Sequence, residues 1–398
     1  MNDDLSAPEA AAILGISVAT LYSYVSRGLL TAVGPAGARG KRYPREPVLR
    51  LAARKADGKR GGHLAEASMH WGVPVLETCI SRIDEGRLYY RGHEVVVLAA
   101  EASLEDVACL LWNHARHDYF GDTSPALPTG PFDSLRAVTG AIGPLERAMA
   151  WLPVLGHGLA TPTHDVDAIL RQGPVLMRLL AGALLGTTLS SLPLHQQIGR
   201  AWDATPAECD LIRAALVILA EHELNASTFT VRCAASTGAS LAATLGAGLA
   251  ALSGPKHGGS IQSVKAMLDT ALAAPSPAQV VAGHFPADGS APNGYTHPLY
   301  PDGDPRASFL LERLSPLSST VPEASAIIAL GIDEGARRGM SPNLDLALSA
   351  MQLVFGWPDA APLILFALAR SAGWIAHAAE QIAEDALIRP RARYVGRF

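Results

Sequence analysis

The chain has 398 residues, 49% of them apolar and 17% charged, with a net charge of −5. That length predicts two or three domains rather than one core, and that composition excludes a disordered chain. The charge is uneven: residues 1–62 carry ten Lys or Arg against five Asp or Glu, a net +5, which leaves −10 for the remainder. A basic head on an acidic body predicts two modules with different partners.

The chain opens "MNDDLSAPEAAAIL", which lacks the basic start and long apolar stretch of a signal peptide, so a cytoplasmic protein is expected. Ser6 suits a helix N-cap, with Pro8 in the first turn and Ala10, Ile13 and Leu14 facing inward. Gly15 breaks that helix, and Ser17 suits the cap of a second one carrying Val18, Leu21 and Val25. The basic loop "AGARGKRYPREPVLRLAAR" follows. Residues 1–55 resemble the small winged helix-turn-helix modules of MerR-type regulators and phage excisionases. The resemblance implies DNA as a partner, with Thr20, Tyr22, Ser23 and Arg27 toward a major groove and Arg39, Lys41 and Arg42 toward phosphates. A module that merely docks on the body or on a partner protein is the alternative. Residues 56–69, mixing charge with glycine, read as a linker.

From about Trp71 onward, stretches such as "ECDLIRAALVILAEHEL" and "APLILFALARSAGWIAHAAEQIAED" have helical apolar spacing, so an all-α body is expected. The stretch "GRLYYRGHEVVVLA" is the main strand-like exception. The uncharged run Cys233–Pro255 is long enough to span a bilayer, but its Ala, Gly, Ser and Thr content predicts a close-packed internal helix and no membrane. Cys79, Cys109, Cys209 and Cys233 form no C-x-x-C pair and mostly read as buried, reduced thiols.

Polar groups interrupt the helical pattern in a few places. "EHELNASTFTVR" carries His222, and "SGPKHGGS" carries His257 among glycines. "GYTHPLYPDGDPRA" carries His297 and Arg306 on a loop too rich in Gly and Pro for a helix. "GMSPNLDLALSAM" carries Asp345 near a helix start, and Arg370 and Arg389 follow. Three arginines suit a substrate with two carboxylates. Histidines polarise carbonyls and relay protons, and a carboxylate removes a proton from carbon when a donor stabilises the enol. The histidines are too widely spaced, and lack the paired motifs, for a metal site. Singly, His222 reads equally as a core histidine and Asp345 as an N-cap.

Together and in this order, "HELNAST", "GPKHGG", "GYTHPLYPDGDPRA", "PNLD", "ARSAGWIAH" and "RPRARYVG" resemble the successive signature segments of citrate synthases, and "LYYRGHEV" resembles their Tyr-Arg-Gly segment. The resemblance covers roughly residues 70–398. It implies an all-α fold with a large helical domain (70–257 and 358–398), a small one over the active site (258–357), and a homodimer. It also implies roles. Asp345 is the base toward the acyl-CoA methyl group, His257 the donor to the thioester oxygen, and His297 the group that polarises the oxaloacetate carbonyl. His222, Arg306 and Arg370 bind oxaloacetate, and Arg389 reaches the neighbouring subunit's site. The coenzyme A thioester is a co-substrate, and no metal or prosthetic group is needed. Two segments depart from the family pattern: Pro298-Leu299-Tyr300 stands where Arg-Val-Tyr is usual, and "GGSIQSV" stands where Gly-Gly-Ala-Asn-Glu-Ala is usual. The expected activity is condensation of acetyl-CoA or propionyl-CoA with oxaloacetate. The alternative is a DNA-binding regulator whose body senses a keto acid or CoA ester.

Overall fold

The computed structural model describes residues 4–16, 18, 21, 25, 30, 41–45, 47–49, 76–114, 119–120, 131–159, 165–390 and 394–396. The chain divides into two compact units, Met1–Glu77 and Thr78–Phe398.

In the first unit, strand β1 (Asp4–Leu5) pairs antiparallel with β2 (Tyr43–Pro44). Helix α1 (Ala7–Leu14) begins as the sequence predicts: Ser6 and Glu9 form a capping box, and Gly15 ends the helix in the left-handed region at φ 59°. Leu5, Ala10, Leu14, Leu21, Leu30, Tyr43 and Val48 bury into one small core. Lys41 and Arg42 are exposed. Thr20, Tyr22, Ser23, Arg27 and Arg39, the Ser17 cap and the expected linker at 56–69 lie outside the described residues.

The second unit opens with an antiparallel sheet of β3 (Ser81–Asp84), β4 (Arg87–Tyr90) and β5 (His93–Glu94). The strand-like stretch then turns helical at α2 (Val95–Glu101). Val95 and Ala99, four apart, are buried while Val97 is exposed, so an apolar helix face overrides the β-preference of three valines. The chain continues through α3 (Leu104–Trp112), α4 (Phe132–Thr139), α5 (Pro144–Gly156), α6 (Val166–Leu170), α7 (Gly173–Leu185), α8 (Leu194–Ala201) and α9 (Pro206–Leu219). Next come α10 (Ala226–Ala235), α11 (Leu241–Leu252), α12 (Ser260–Ala273) and α13 (Pro277–Gly283). Helices α14 (Pro305–Ser318), α15 (Pro322–Arg337), α16 (Leu344–Phe355) and α17 (Ala361–Glu384) complete it.

The apolar run Cys233–Pro255 is two helices rather than one, because Gly238 turns the chain at φ +77° between α10 and α11. Two other helical stretches, Val166–Leu185 and Ala361–Glu384, are apolar and long enough to cross a membrane, yet their apolar windows are 78% and 89% buried within the fold. Of the cysteines, Cys109 is buried, Cys79 is exposed and the other two are intermediate, so the expectation of mostly buried thiols holds for one alone. The Cys79 N–H and thiol meet the Glu380 carboxylate at 2.9 and 3.3 Å.

Helix α17 is the axis of the main core and packs against α3, α7, α9, α10 and α11. Its approach to the end of α9 depends on Gly373, where a Cβ would lie 2.5 Å from the Ala220 carbonyl oxygen. A second, separate core gathers Val264, Leu268, Val281, Phe285, Tyr295, Ile327 and Leu346 from α12, α13, α15, α16 and the loop before α14. Gly294 in that loop has φ +92°, and a Cβ there would lie 2.9 Å from Val264.

Candidate active site

Four chain breaks converge between the two cores. The first follows α9, where His222 is buried and its Nε2 lies 2.9 Å from the Tyr300 hydroxyl. Asn225 caps α10 there by accepting from the Thr228 N–H. Beneath this segment the Tyr90 phenol of β4 accepts from the Glu221 N–H at 3.0 Å and lies 3.0 Å from the Glu221 carbonyl oxygen. The Tyr-Arg-Gly strand thus holds the backbone that carries His222.

The second break is the glycine-rich turn between α11 and α12. A Cβ on Gly258 would lie 2.6 Å from the Leu252 carbonyl oxygen, so only glycine closes this turn. The turn sets His257 Nε2 2.9 Å from Ser227 Oγ, and the His257 ring meets Phe366 edge-on with centroids 5.9 Å apart.

The third break is the Gly/Pro loop before α14. Tyr300 N–H closes a turn onto the His297 carbonyl at 2.9 Å, with Pro298 at the position where its fixed φ is favoured. Thr296, just before, is held in the left-handed region at φ 56°. The Leu299 N–H donates to His297 Nδ1 at 3.2 Å, so the neutral imidazole carries its hydrogen on Nε2. The rings of His222, His297 and Tyr300 stand 5.1 to 5.7 Å apart. Asp304 caps α14 and grips the Arg306 guanidinium at two points, 2.9 and 2.8 Å, while the guanidinium lies 4.7 Å from the Tyr300 ring centroid.

The fourth break precedes α16. Asn343, rather than Asp345, is the N-cap: its Oδ1 accepts from the Asp345 N–H at 3.0 Å and its Nδ2 donates to the Thr296 carbonyl at 3.1 Å. One side chain therefore ties the His297 loop to the helix that carries Asp345. Asp345 Oδ2 lies 2.8 Å from the Ser260 hydroxyl at the start of α12. From α17, Arg370 is 1% exposed, donates Nε–H to the Leu219 carbonyl at 2.9 Å and stacks 4.6 Å over Phe366. Its Nη1 is buried without a hydrogen-bond partner among the described residues.

The cations and the burial fix the protonation states. Desolvation first, then Arg306 and Arg370, hold the His222 imidazole well below its usual range. Desolvation, then Arg370, lowers His257 to about 4, and desolvation, then Arg306, lowers His297 to about 4. All three are neutral at pH 7. Burial raises the Tyr300 phenol and keeps it protonated. Burial also raises Asp345, against the lowering effects of the Ser260 hydrogen bond and Arg306. The result is a pocket of two buried guanidinium groups, three neutral imidazoles and two carboxylates, of which Asp304 is paired with Arg306 and Asp345 is not.

The structure brings His222, His257, His297, Arg306, Arg370 and Asp345 to these chain breaks and to α17 beside them. Arg389 does not join them: it is exposed in the irregular segment after α17, and among the described residues no hydrogen bond or ion pair links it to the cluster. Sequence reasoning did not assign roles to Tyr300, Asp304, Asn343, Ser227, Phe366 or Ser260. Asp304 had a readable signal, an Asp-Pro-Arg run with Pro at the first helical position. Phe366 had none beyond an apolar helix face.

Comparison with known proteins places this arrangement. The family described as citrate synthase, C-terminal domain, matches residues 68–391, and the helix-turn-helix domain family matches residues 5–56. The putative citrate synthase 2 of Mycobacterium tuberculosis H37Rv is 39% identical over 350 residues, covering 82% of this chain and 91% of the relative. The 2-methylcitrate synthase 2 of Corynebacterium glutamicum is 27% identical over 370 residues, covering 82% and 94%. In fold, the chain superposes with a TM-score of 0.72 on the citrate synthase of Thermoplasma acidophilum, solved in ternary complex with carboxymethyl coenzyme A and oxaloacetate. That match has 24% identity and covers 83% of this chain and 96% of the other. The chain belongs to the citrate synthase family, with a helix-turn-helix domain in its N-terminal segment.

Proposed function

We propose that the second unit condenses a short acyl-CoA, acetyl or propionyl, with oxaloacetate and releases coenzyme A. The observation that carries this reading is the pair of buried guanidinium groups, Arg306 and Arg370, set among neutral histidines. Arg370 Nη1 in particular is a buried charged donor without a hydrogen-bond partner among the described residues, a group that a substrate carboxylate satisfies.

In this reading Arg306, Arg370 and His222 hold the two carboxylates of oxaloacetate. His297 donates Nε2–H to the keto oxygen; a neutral donor polarises that carbonyl and protonates the alkoxide as carbon–carbon bond formation proceeds. Asp345 takes a proton from the carbon next to the thioester. Ser227 Oγ lies 2.9 Å from His257 Nε2 and 2.8 Å from Asn225 Oδ1; in this reading its one proton turns to the imidazole, which leaves Nδ1–H as the donor to the thioester oxygen where enolate charge develops. Water hydrolyses the condensed thioester. Burial around Asp345 makes it a stronger base than an exposed aspartate.

The exposed apolar tail, Leu387, Tyr394 and Val395, around the exposed Arg389 supports a homodimer in which Arg389 serves the partner's site. The match of residues 5–56 to helix-turn-helix domains and the exposed Lys41 and Arg42 support DNA as the partner of the first unit. The test of the catalytic reading is Asp345→Ala. Oxaloacetate-dependent thiol release should vanish while oxaloacetate still raises the melting temperature; turnover near the wild-type rate overturns the assignment.

A further inference from the structure

Ser260 occupies an unusual place. It is the first residue of α12, and its hydroxyl lies 2.8 Å from Asp345 Oδ2 and 2.9 Å from the His257 carbonyl oxygen. Both neighbours are acceptors when Asp345 is ionised, and a hydroxyl has one proton to give. The charged acceptor holds it more strongly. Asp345 Oδ1 takes no hydrogen bond among the described residues.

We infer that Ser260 is a positioning residue for the base: it pins Asp345 Oδ2, leaves Oδ1 as the oxygen that receives the proton, and turns its own proton to the His257 carbonyl once the base is neutral. The inference rests on Asp345 being the base. As the substrate C–H bond breaks, the proton passes to Oδ1 and the electron pair moves into the enolate, whose oxygen His257 holds. Oδ2 is then part of a neutral acid and a weaker acceptor. The Ser260 hydroxyl rotates about its C–O bond to the His257 carbonyl, and no bond to Ser260 forms or breaks. On the reverse transfer it rotates back. The hydroxyl thereby follows the charge of the base and bridges it to the turn that carries the enol-stabilising histidine.

The physical consequence has a sign. A hydrogen bond to the carboxylate form favours ionisation, so burial of Asp345 and the bond from Ser260 pull in opposite directions. Removing the hydroxyl leaves burial unopposed.

The experiment compares wild type, Ser260→Ala and Ser260→Thr in thiol release from acetyl-CoA and propionyl-CoA with oxaloacetate across the acid pH range. Ser260→Ala should lower kcat, by up to roughly 100-fold if the base is misplaced by about 1 Å. It should leave KM for oxaloacetate near the wild-type value and move the acid limb of kcat/KM to higher pH. Ser260→Thr, which keeps the hydroxyl, should restore the limb. An unshifted limb in Ser260→Ala, with or without a fall in kcat, overturns the inference while the catalytic reading stands. Absence of thiol release from the wild-type protein with either acyl-CoA overturns the catalytic reading instead, and the inference with it.

Discussion

His222 and Tyr300, 78 positions apart in sequence, meet through a 2.9 Å contact between imidazole Nε2 and phenol, both buried. Burial and the neighbouring cations lower the imidazole, and burial raises the phenol, so the pair is neutral on both sides. Replacing Tyr300 by Phe strands a buried imidazole nitrogen. A loss of about 1–3 kcal/mol in unfolding free energy is expected, the range for an unsatisfied buried polar group, together with weaker oxaloacetate binding. Urea unfolding with and without oxaloacetate measures both; an unchanged midpoint argues against the contact.

Asp304 neutralises Arg306 in a site where the pair is 2% and 3% exposed. Asp304→Ala removes the helix cap and leaves a buried guanidinium uncompensated, which costs about 3–5 kcal/mol. A dicarboxylate replaces part of the missing charge, so oxaloacetate should stabilise this variant more than it stabilises wild type. Thermal unfolding at matched ligand concentrations checks this, and equal stabilisation of the two proteins contradicts it.

The lowered histidines set the pH behaviour. Between about 6.5, the unfolded value, and about 4 in the fold, His257 and His297 bind protons in the unfolded chain and not in the folded one. Stability therefore falls as pH drops through that window and levels off below it. Asp345, raised by burial, has the opposite sign: between the unfolded aspartate value and its own folded one, the folded chain holds the extra proton. Activity needs the histidines neutral and Asp345 ionised, so protonation of the raised Asp345 and of His257 and His297 near 4 all erode it as pH falls. An NMR titration in which the His257 or His297 ring protonates near 6.5 contradicts this assignment.

Asn343 serves two loops at once. Asn343→Ala removes a helix cap, which costs about 1 kcal/mol, and frees the Thr296 carbonyl from its 3.1 Å partner. Thr296 holds a backbone conformation that favours glycine, so the loop is expected to relax and kcat to fall by more than the loss of stability explains. Kinetics well below the melting temperature separate the two effects.

Much of this was legible in the chain. The helical body follows from apolar spacing, and His257, His297, Arg306 and Asp345 stand out because Gly, Pro or Asn beside them breaks the helical pattern, whereas Arg370 lies inside α17. Their convergence is not a local property: Arg370 reaches the end of α9 because Gly373 has no Cβ, a fact of packing between distant segments. Ser260, Ser227 and Phe366 act through contacts with residues 30 to 85 positions away or through ring packing, which no spacing rule exposes. The valines of α2 mislead because burial of one face outweighs their β-preference. Arg389 lies outside the cluster, exposed in the irregular segment after α17.

The central claim is oxaloacetate-dependent condensation. The most direct measurement is thiol release from acetyl-CoA and from propionyl-CoA, each with and without oxaloacetate, on the purified full-length protein. Release from at least one thioester, only when oxaloacetate is present, is the predicted result, and the ratio of the two rates identifies the preferred acyl group. No release from either thioester, with oxaloacetate still raising the melting temperature, contradicts the claim and leaves a ligand-binding body without catalysis.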